Sequence, residues 1–184
     1  MQRKIYQKLL DWKNKINRKP LILEGARQVG KTWLMQELGK NEYKNCVYIN
    51  FDRESWAKNL FEQDYDINRI LLQLQAQSNQ RIIAGETLII FDELQEAPRG
   101  LSVLKYFYEE APEHHIVVAG SLLGITLHQG ESFPVGKVDV MQVKPLTFIE
   151  FLYAMGEDIK AMCIEEKRWD ILKALAPQYE ELLR

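Results

Sequence analysis

Short apolar runs and stripes of helical period take turns along this chain. Residues 3–16 place Ile5, Leu9, Trp12 and Ile16 at helical spacing among lysines and arginines, which predicts an amphipathic helix. Pro20-Leu21-Ile22-Leu23-Glu24 then reads as a short buried strand, and residues 33–39 as a helix that stops at Gly39. Residues 46–51 are rich in β-formers and predict a second strand. Ile67, Ile70, Leu71 and Leu74 recur at i, i+3, i+4 and i+7, a helix with one buried face. After a Gly85-Glu86 turn, Leu88-Ile89-Ile90-Phe91 is apolar without a break, as suits a strand covered on both faces of a parallel sheet. Pro98 and Gly100 mark a bend before a helix over 101–110, and residues 115–120 predict a fourth strand. Residues 138–143 alternate towards a fifth. Thr147, with Glu150 three residues later, caps a helix over 147–155, and the tail over 158–184 is helical, charged and interrupted by Pro177. Strands alternating with helices in this way predict an α/β fold around a mainly parallel five-stranded sheet.

The coil after the first strand carries the chemistry. Gly25-Ala26-Arg27-Gln28-Val29-Gly30-Lys31-Thr32 fills every fixed position of G-x-x-x-x-G-K-[ST], with a strand before it and a helix opening at Trp33 after it. Gly25 and Gly30 let the backbone curl so that successive N–H groups cradle phosphate oxygens. The positive end of the helix dipole adds to that field. Lys31 then reaches the β- and γ-phosphates, while the Thr32 hydroxyl ligates Mg²⁺.

Asp92 and Glu93 end the unbroken apolar run. Two carboxylates there are expensive unless something cationic meets them. In P-loop nucleotide hydrolases, which the loop over 25–32 resembles, the first such carboxylate helps hold Mg²⁺, usually through water. The second, turned elsewhere by strand alternation, orients and polarises the attacking water. The resemblance thus implies Asp92 at the metal and Glu93 at the water. The competing reading is an acidic helix cap after a core strand. Ser121, at the tip of the fourth strand, either positions water and senses the γ-phosphate or caps a helix over 122–127. Lys137 is either a γ-phosphate contact or an exposed cation beyond an exposed loop at 130–136. Asp52, Arg53 and Glu54 stand where ligands gather in such sheets, or else form a solvated turn. Arg3 and Tyr6 either approach an adenine or ribose or simply pack.

Composition narrows the setting. The 184 residues are 46% hydrophobic and 27% charged, enough for one full-sized core. A net charge of −2 gives no support for a general nucleic-acid surface, although a local basic patch stays open. Cys46 and Cys163 fit neither a disulfide framework nor a metal knuckle and read as buried free thiols. His114, His115 and His128 lack ligand spacing and read as surface residues. With neither a signal peptide nor a bilayer-length apolar run, the expected compartment is the cytoplasm.

Several stretches together resemble a known family. They are residues 23–32, Tyr48-Ile49-Asn50-Phe51, Phe91-Asp92-Glu93-Leu94-Gln95, Ala119-Gly120-Ser121-Leu122-Leu123-Gly124 and the run Lys144-Pro145-Leu146-Thr147-Phe148-Ile149-Glu150-Phe151-Leu152. The chain is similar over nearly its whole length to AAA-type P-loop ATPases of bacteria and archaea (AAA_14-like), whose ATPase domain is usually followed by an uncharacterised region, DUF4143. The last stretch is more diagnostic than the phosphate loop, which many families share. The resemblance implies a three-layer P-loop NTPase fold of the additional-strand type, with the Ser121 strand between those ending in Glu24 and Asp92. It implies ATP binding at residues 25–32 with Trp33, magnesium at Thr32 and Asp92, water activation at Glu93 and sensing at Ser121. Many relatives carry arginine where this chain has Gly136-Lys137, and lysine lacks the planar fork of a transition-state finger. It implies an ATPase domain over 1–157, a helical segment over 158–184 that starts a following region, and a partner domain beyond.

The expected function is a Mg²⁺-dependent ATPase that couples nucleotide state to that partner, with Lys31, Glu93 and Ser121 catalytic. Water is the expected nucleophile, ahead of a kinase acceptor. The rival expectation is a nucleotide-gated switch that hydrolyses negligibly alone and acts on a protein or nucleic acid through 130–136 and the C-terminal helices. A homo-oligomer is compatible with both, a membrane with neither.

Overall fold

A computed structural model of the chain describes residues 3–120 and 134–182. The elements run α1 (Lys4–Lys13), β1 (Leu21–Glu24), α2 (Lys31–Glu42), β2 (Asn45–Asn50), α3 (Ser55–Lys58), α4 (Ile67–Ser78), β3 (Thr87–Asp92), α5 (Gly100–Glu110), β4 (His115–Ala119) and β5 (Asp139–Gln142). They continue with α6 (Phe148–Ala154), α7 (Asp158–Glu165) and α8 (Trp169–Leu182). The strands form one sheet in the order β2-β3-β4-β1-β5, and every neighbouring pair is parallel. The fourth strand therefore lies between the first and third, as the resemblance implied. The described residues form two compact units, 8–144 and 3–7 with 145–182.

In the first unit the unbroken apolar strands are explained by cover on both faces. Ile89 and Phe91 share one core with Ile70 and Leu74 of α4 and Leu104 and Phe107 of α5. Phe91 meets Phe51, Phe61 and Phe107 edge-on, with ring centroids 5.4, 5.9 and 6.4 Å away. Leu88 points to the other face by the alternation of the pleat, where α2 crosses. Gly39 shows how closely: a Cβ there would lie 2.8 Å from Cys46 Sγ and 3.6 Å from Leu88 Cδ2. The expected stop at Gly39 is thus a correction. The helix runs on to Glu42, and the glycine is there for close approach to the sheet, so Cys46 is half-buried against it.

Two more expectations fail in this unit. Ile16 lies beyond the end of α1 and is 98% exposed, whereas Leu9 and Trp12 are buried. His115 is not a surface residue. It opens β4 at 8% exposure, with Nδ1 2.7 Å from the Tyr43 hydroxyl and Trp12 edge-on. Burial first, then the cations Arg18, Lys13 and His114, push its pKa down to about 4. Burial raises that of Tyr43, which keeps its proton to donate. Between pH 6.5 and 4 the unfolded chain therefore binds a proton that the folded chain refuses, so stability falls as pH falls through that window, by at most about 3 kcal/mol. Urea unfolding at pH 7 and pH 4.5 should show a larger loss in the wild type than in His115→Phe; equal losses would remove His115 as the cause.

In the second unit, Thr147 and Glu150 form the expected capping box, with the Glu150 N–H donating to Thr147 Oγ1 at 3.2 Å and the Thr147 N–H to Glu150 Oε2 at 2.9 Å. Burial raises the Glu150 pKa, but hydrogen bonds from the Thr147 and Lys4 N–H groups, with the Arg3 guanidinium, outweigh it and hold the carboxyl below its ordinary range. Leu152, Ala161 and Tyr179 form a small core. Pro177 does not interrupt the tail. α8 passes through it, because Tyr179 beyond the proline is held by its hydroxyl on the Lys160 carbonyl at 2.9 Å and by the Phe148 ring edge.

Candidate functional site

Parallel register brings the carboxyl ends of the strands level: Leu23 pairs with Ala119, Ala119 with Asp92, and Asp92 with Asn50. The chain leaves β1 there through residues 25–30. Gly25 has φ +149°, and a Cβ on it would collide with the Val143 carbonyl oxygen, so no other residue fits. Gly30 caps α2 at φ 89°, and Gln28 is also left-handed at φ 63°. Lys31, the first residue of α2, is 7% exposed and donates to the carbonyl oxygens of Gly25 and Ala26, both at 2.8 Å. Burial lowers its pKa, and the charges of Glu93 and Asp92 oppose that shift.

Asp92 joins this loop to β3. The Thr32 hydroxyl donates to Asp92 Oδ2 at 2.8 Å, and the Tyr48 hydroxyl donates to the same oxygen at 2.8 Å. Asn50 Nδ2 in turn donates to the Tyr48 oxygen at 3.3 Å. The register explains the convergence. Tyr48 pairs with Ile90, two residues before Asp92, so it is the diagonal neighbour that a long side chain can reach. Burial foremost, then the hydrogen bond to Asp92, push the Tyr48 pKa up to about 12, so it remains a donor. The carboxylate is 3% exposed and thus fixed in place.

Glu93 departs from the expected geometry. The strand ends at Asp92, and Glu93 is left-handed at φ 54°, leading into the 3-10 turn Leu94–Glu96. Its direction is set by that turn and not by strand alternation. Gln95 Nε2 donates to its Oε2 at 2.6 Å. Lys31, Thr32, Asp92, Glu93 and Gln95 line one cleft of about 670 Å³, with Arg27, Gln28, Gly30, Trp33, Asp52 and Glu96 completing the wall. That volume suits a small-molecule ligand.

The donors also fit a magnesium ion. Among the described residues no three His, Cys, Asp or Glu side chains converge on a metal position. Mg²⁺ needs no such cage, since it keeps waters and substrate phosphates and takes one or two protein oxygens. Thr32 Oγ1 and an Asp92 oxygen, 2.8 Å apart beside a buried lysine, are a pair of that kind.

Comparison with known proteins decides the family. Residues 17–152 match the family model AAA_14, described as an AAA domain. The chain belongs to this AAA family. It is a nucleotide-binding AAA module with the P-loop NTPase fold. No curated protein matches it. Among the solved structures that match is that of C. elegans PCH-2, with a TM-score of 0.44 and 16% identity over 80% of this chain. The match spans 40% of the PCH-2 chain.

Within the AAA domain the sequence-predicted residues divide clearly. Lys31, Thr32, Asp92 and Glu93 share the cleft, as do Arg27, Gln28, Gly30 and Trp33. Gly25, Ala26 and Val29 shape the loop from behind: two give carbonyls to Lys31, and Val29 is buried. Ser121, the helix over 122–127 and His128 lie outside the described residues. Asp52 reaches the cleft, while Glu54 builds the turn after β2 by accepting from the Asn50 N–H at 3.0 Å and from Trp56 Nε1 at 3.0 Å. Arg3 and Tyr6 are not among the cleft residues.

Lys137 stands at the far end of the sheet. Asp139, two residues later, pairs with Leu21 at the start of β1, so about 13 Å of strand separates that level from the phosphate loop. Its ammonium instead pairs with Glu109 at 2.9 Å and lies over the Tyr108 ring. Tyr48, Asn50 and Gln95 carry no motif of their own in the sequence that marks them for this site. The signal for the first two was their period-2 spacing, which points to Asp92 only once β2 and β3 are known to pair in register.

Proposed function

We propose that this AAA domain binds ATP with Mg²⁺ in the cleft and hydrolyses it to ADP and phosphate. The observation that supports this best is the 2.8 Å contact between Thr32 and Asp92, which brings the phosphate-loop helix and the acidic end of β3 to one point beside Lys31. In this reading the loop over 25–32, with Trp33, embraces the phosphates. Mg²⁺, held by Thr32 and Asp92, supplies positive charge to the phosphate oxygens when bound. Glu93 accepts a proton from the water whose oxygen attacks the γ-phosphorus in line. The bond from that phosphorus to the bridging oxygen breaks, its electron pair leaves with ADP, and Lys31 stabilises the charge that develops. ATP and water thus become ADP, phosphate and a proton that Glu93 later releases. Ser121 serves as sensor, and residues 158–184 lead towards a partner domain that receives the nucleotide state, in the cytoplasm.

One observation favours a second reading, a nucleotide-gated switch with negligible hydrolysis alone. Lys137 is remote, and among the described residues the cations lining the cleft are Lys31 and Arg27. Steady-state phosphate release separates the two. Hydrolysis predicts saturable release that stops when EDTA removes magnesium. A rate no higher than that of Lys31→Ala would leave the switch as the function.

A further inference from the structure

Resting on the hydrolytic reading, we infer that Gln95 is a positioning residue that fixes the Glu93 carboxylate for proton transfer. Two departures from local comfort meet at this point. Glu93 adopts φ 54°, a conformation that a non-glycine residue rarely takes and that carries strain. Two residues on, the Gln95 amide commits Nε2 to Glu93 Oε2 at 2.6 Å. A carboxylate only accepts, so the amide nitrogen must face it and Oε1 must face away. Oε1 is then buried and finds no partner among the described residues. A buried acceptor left without a donor is unfavourable. Strain at one residue and an orphaned acceptor at the next but one serve the same carboxylate, and strain of this kind gathers at functional sites.

The chemistry gives the contact a purpose. A glutamate on the rim of a cleft has several rotamers, and a base that abstracts a proton must present one oxygen to one water. A charge-assisted hydrogen bond from a side chain anchored in the 3-10 turn removes that freedom. Gln95 lines the same cleft as Glu93, Lys31 and Thr32, so the tether acts where the reaction takes place. The alternative, a purely structural glutamine, makes a different forecast: replacing it should alter stability and leave turnover alone.

The test uses the full chain with Gln95→Leu and the near-isosteric Gln95→Met, neither of which can donate to Glu93 or changes the charge of the cleft. Phosphate release gives kcat and KM, a fluorescent ATP analogue with magnesium gives Kd, and thermal unfolding gives Tm. The expected result is a kcat lowered about 10- to 100-fold in both variants, with KM and Kd within about twofold. For Gln95→Leu, Tm should be unchanged or higher, because the orphaned acceptor is gone. Wild-type turnover with kcat retained in Gln95→Leu overturns the inference and leaves the hydrolytic reading standing. A fall in kcat matched by a fall in Tm or a rise in Kd makes the residue structural and overturns it too. Turnover absent from the wild type itself removes the hydrolytic reading instead.

Discussion

Lys31→Ala should weaken ATP binding at least about 100-fold, measured as Kd for a fluorescent ATP analogue in the presence of magnesium. The wild-type ammonium is buried at the head of α2, where it gives two hydrogen bonds to the loop carbonyls of Gly25 and Ala26. On a phosphate oxygen a charged donor of this kind contributes roughly 1.5–3 kcal/mol per bond, and each 1.4 kcal/mol is about tenfold in affinity. Alanine also leaves Asp92, 3% exposed, beside an incoming polyanion without that neighbouring cation. Both effects act against phosphate. Lys31→Arg keeps the charge but not the compact ammonium that fits between two carbonyls, so it should recover only part of the affinity. Wild-type affinity in Lys31→Ala would contradict the placement of phosphates in this loop.

Much of this arrangement is legible in the sequence, for a physical reason. Residues 88–91 are apolar on successive positions, as suits a strand covered on both faces, and Asp92 ends that run at the wall of the cleft. The loop over 25–32 announces itself because its glycines and its lysine are fixed by backbone and phosphate geometry. What escaped depends on distance across the fold. Gly39 resembles a helix stop in sequence, and only the nearness of Cys46 and Leu88 shows that it lets α2 press on the sheet. His115 lacks ligand spacing and reads as a surface residue, yet Trp12 and Tyr43, far away in sequence, enclose it. Pro177 reads as a break because helix propensity is local, whereas Tyr179 is held by packing. Lys137 can be read towards the phosphates until β5 is known to start level with the beginning of β1, at the end of the strands away from the loop. Tyr48 became visible as a partner of Asp92 only through strand register, which a single sequence does not state.

Glu93→Gln is expected to separate binding from chemistry. The variant should bind ATP with magnesium at least as tightly as the wild type, because one negative charge leaves a cleft that receives several. Its turnover should fall about 10²- to 10³-fold, the range that a positioned general base contributes. The fold should be indifferent, since the new amide keeps a carbonyl oxygen to accept from Gln95 Nε2 at the position of the present 2.6 Å bond. Unchanged Tm with collapsed phosphate release is therefore the signature; normal turnover would transfer the base to another group. The pair also supports a double-mutant cycle. If Gln95 acts through Glu93, Gln95→Leu added to Glu93→Gln should cost almost nothing more, although it lowers turnover strongly in the wild type. Additive losses would mean that the two side chains work on the reaction separately, and that the left-handed turn at Glu93 aims its carboxylate without help.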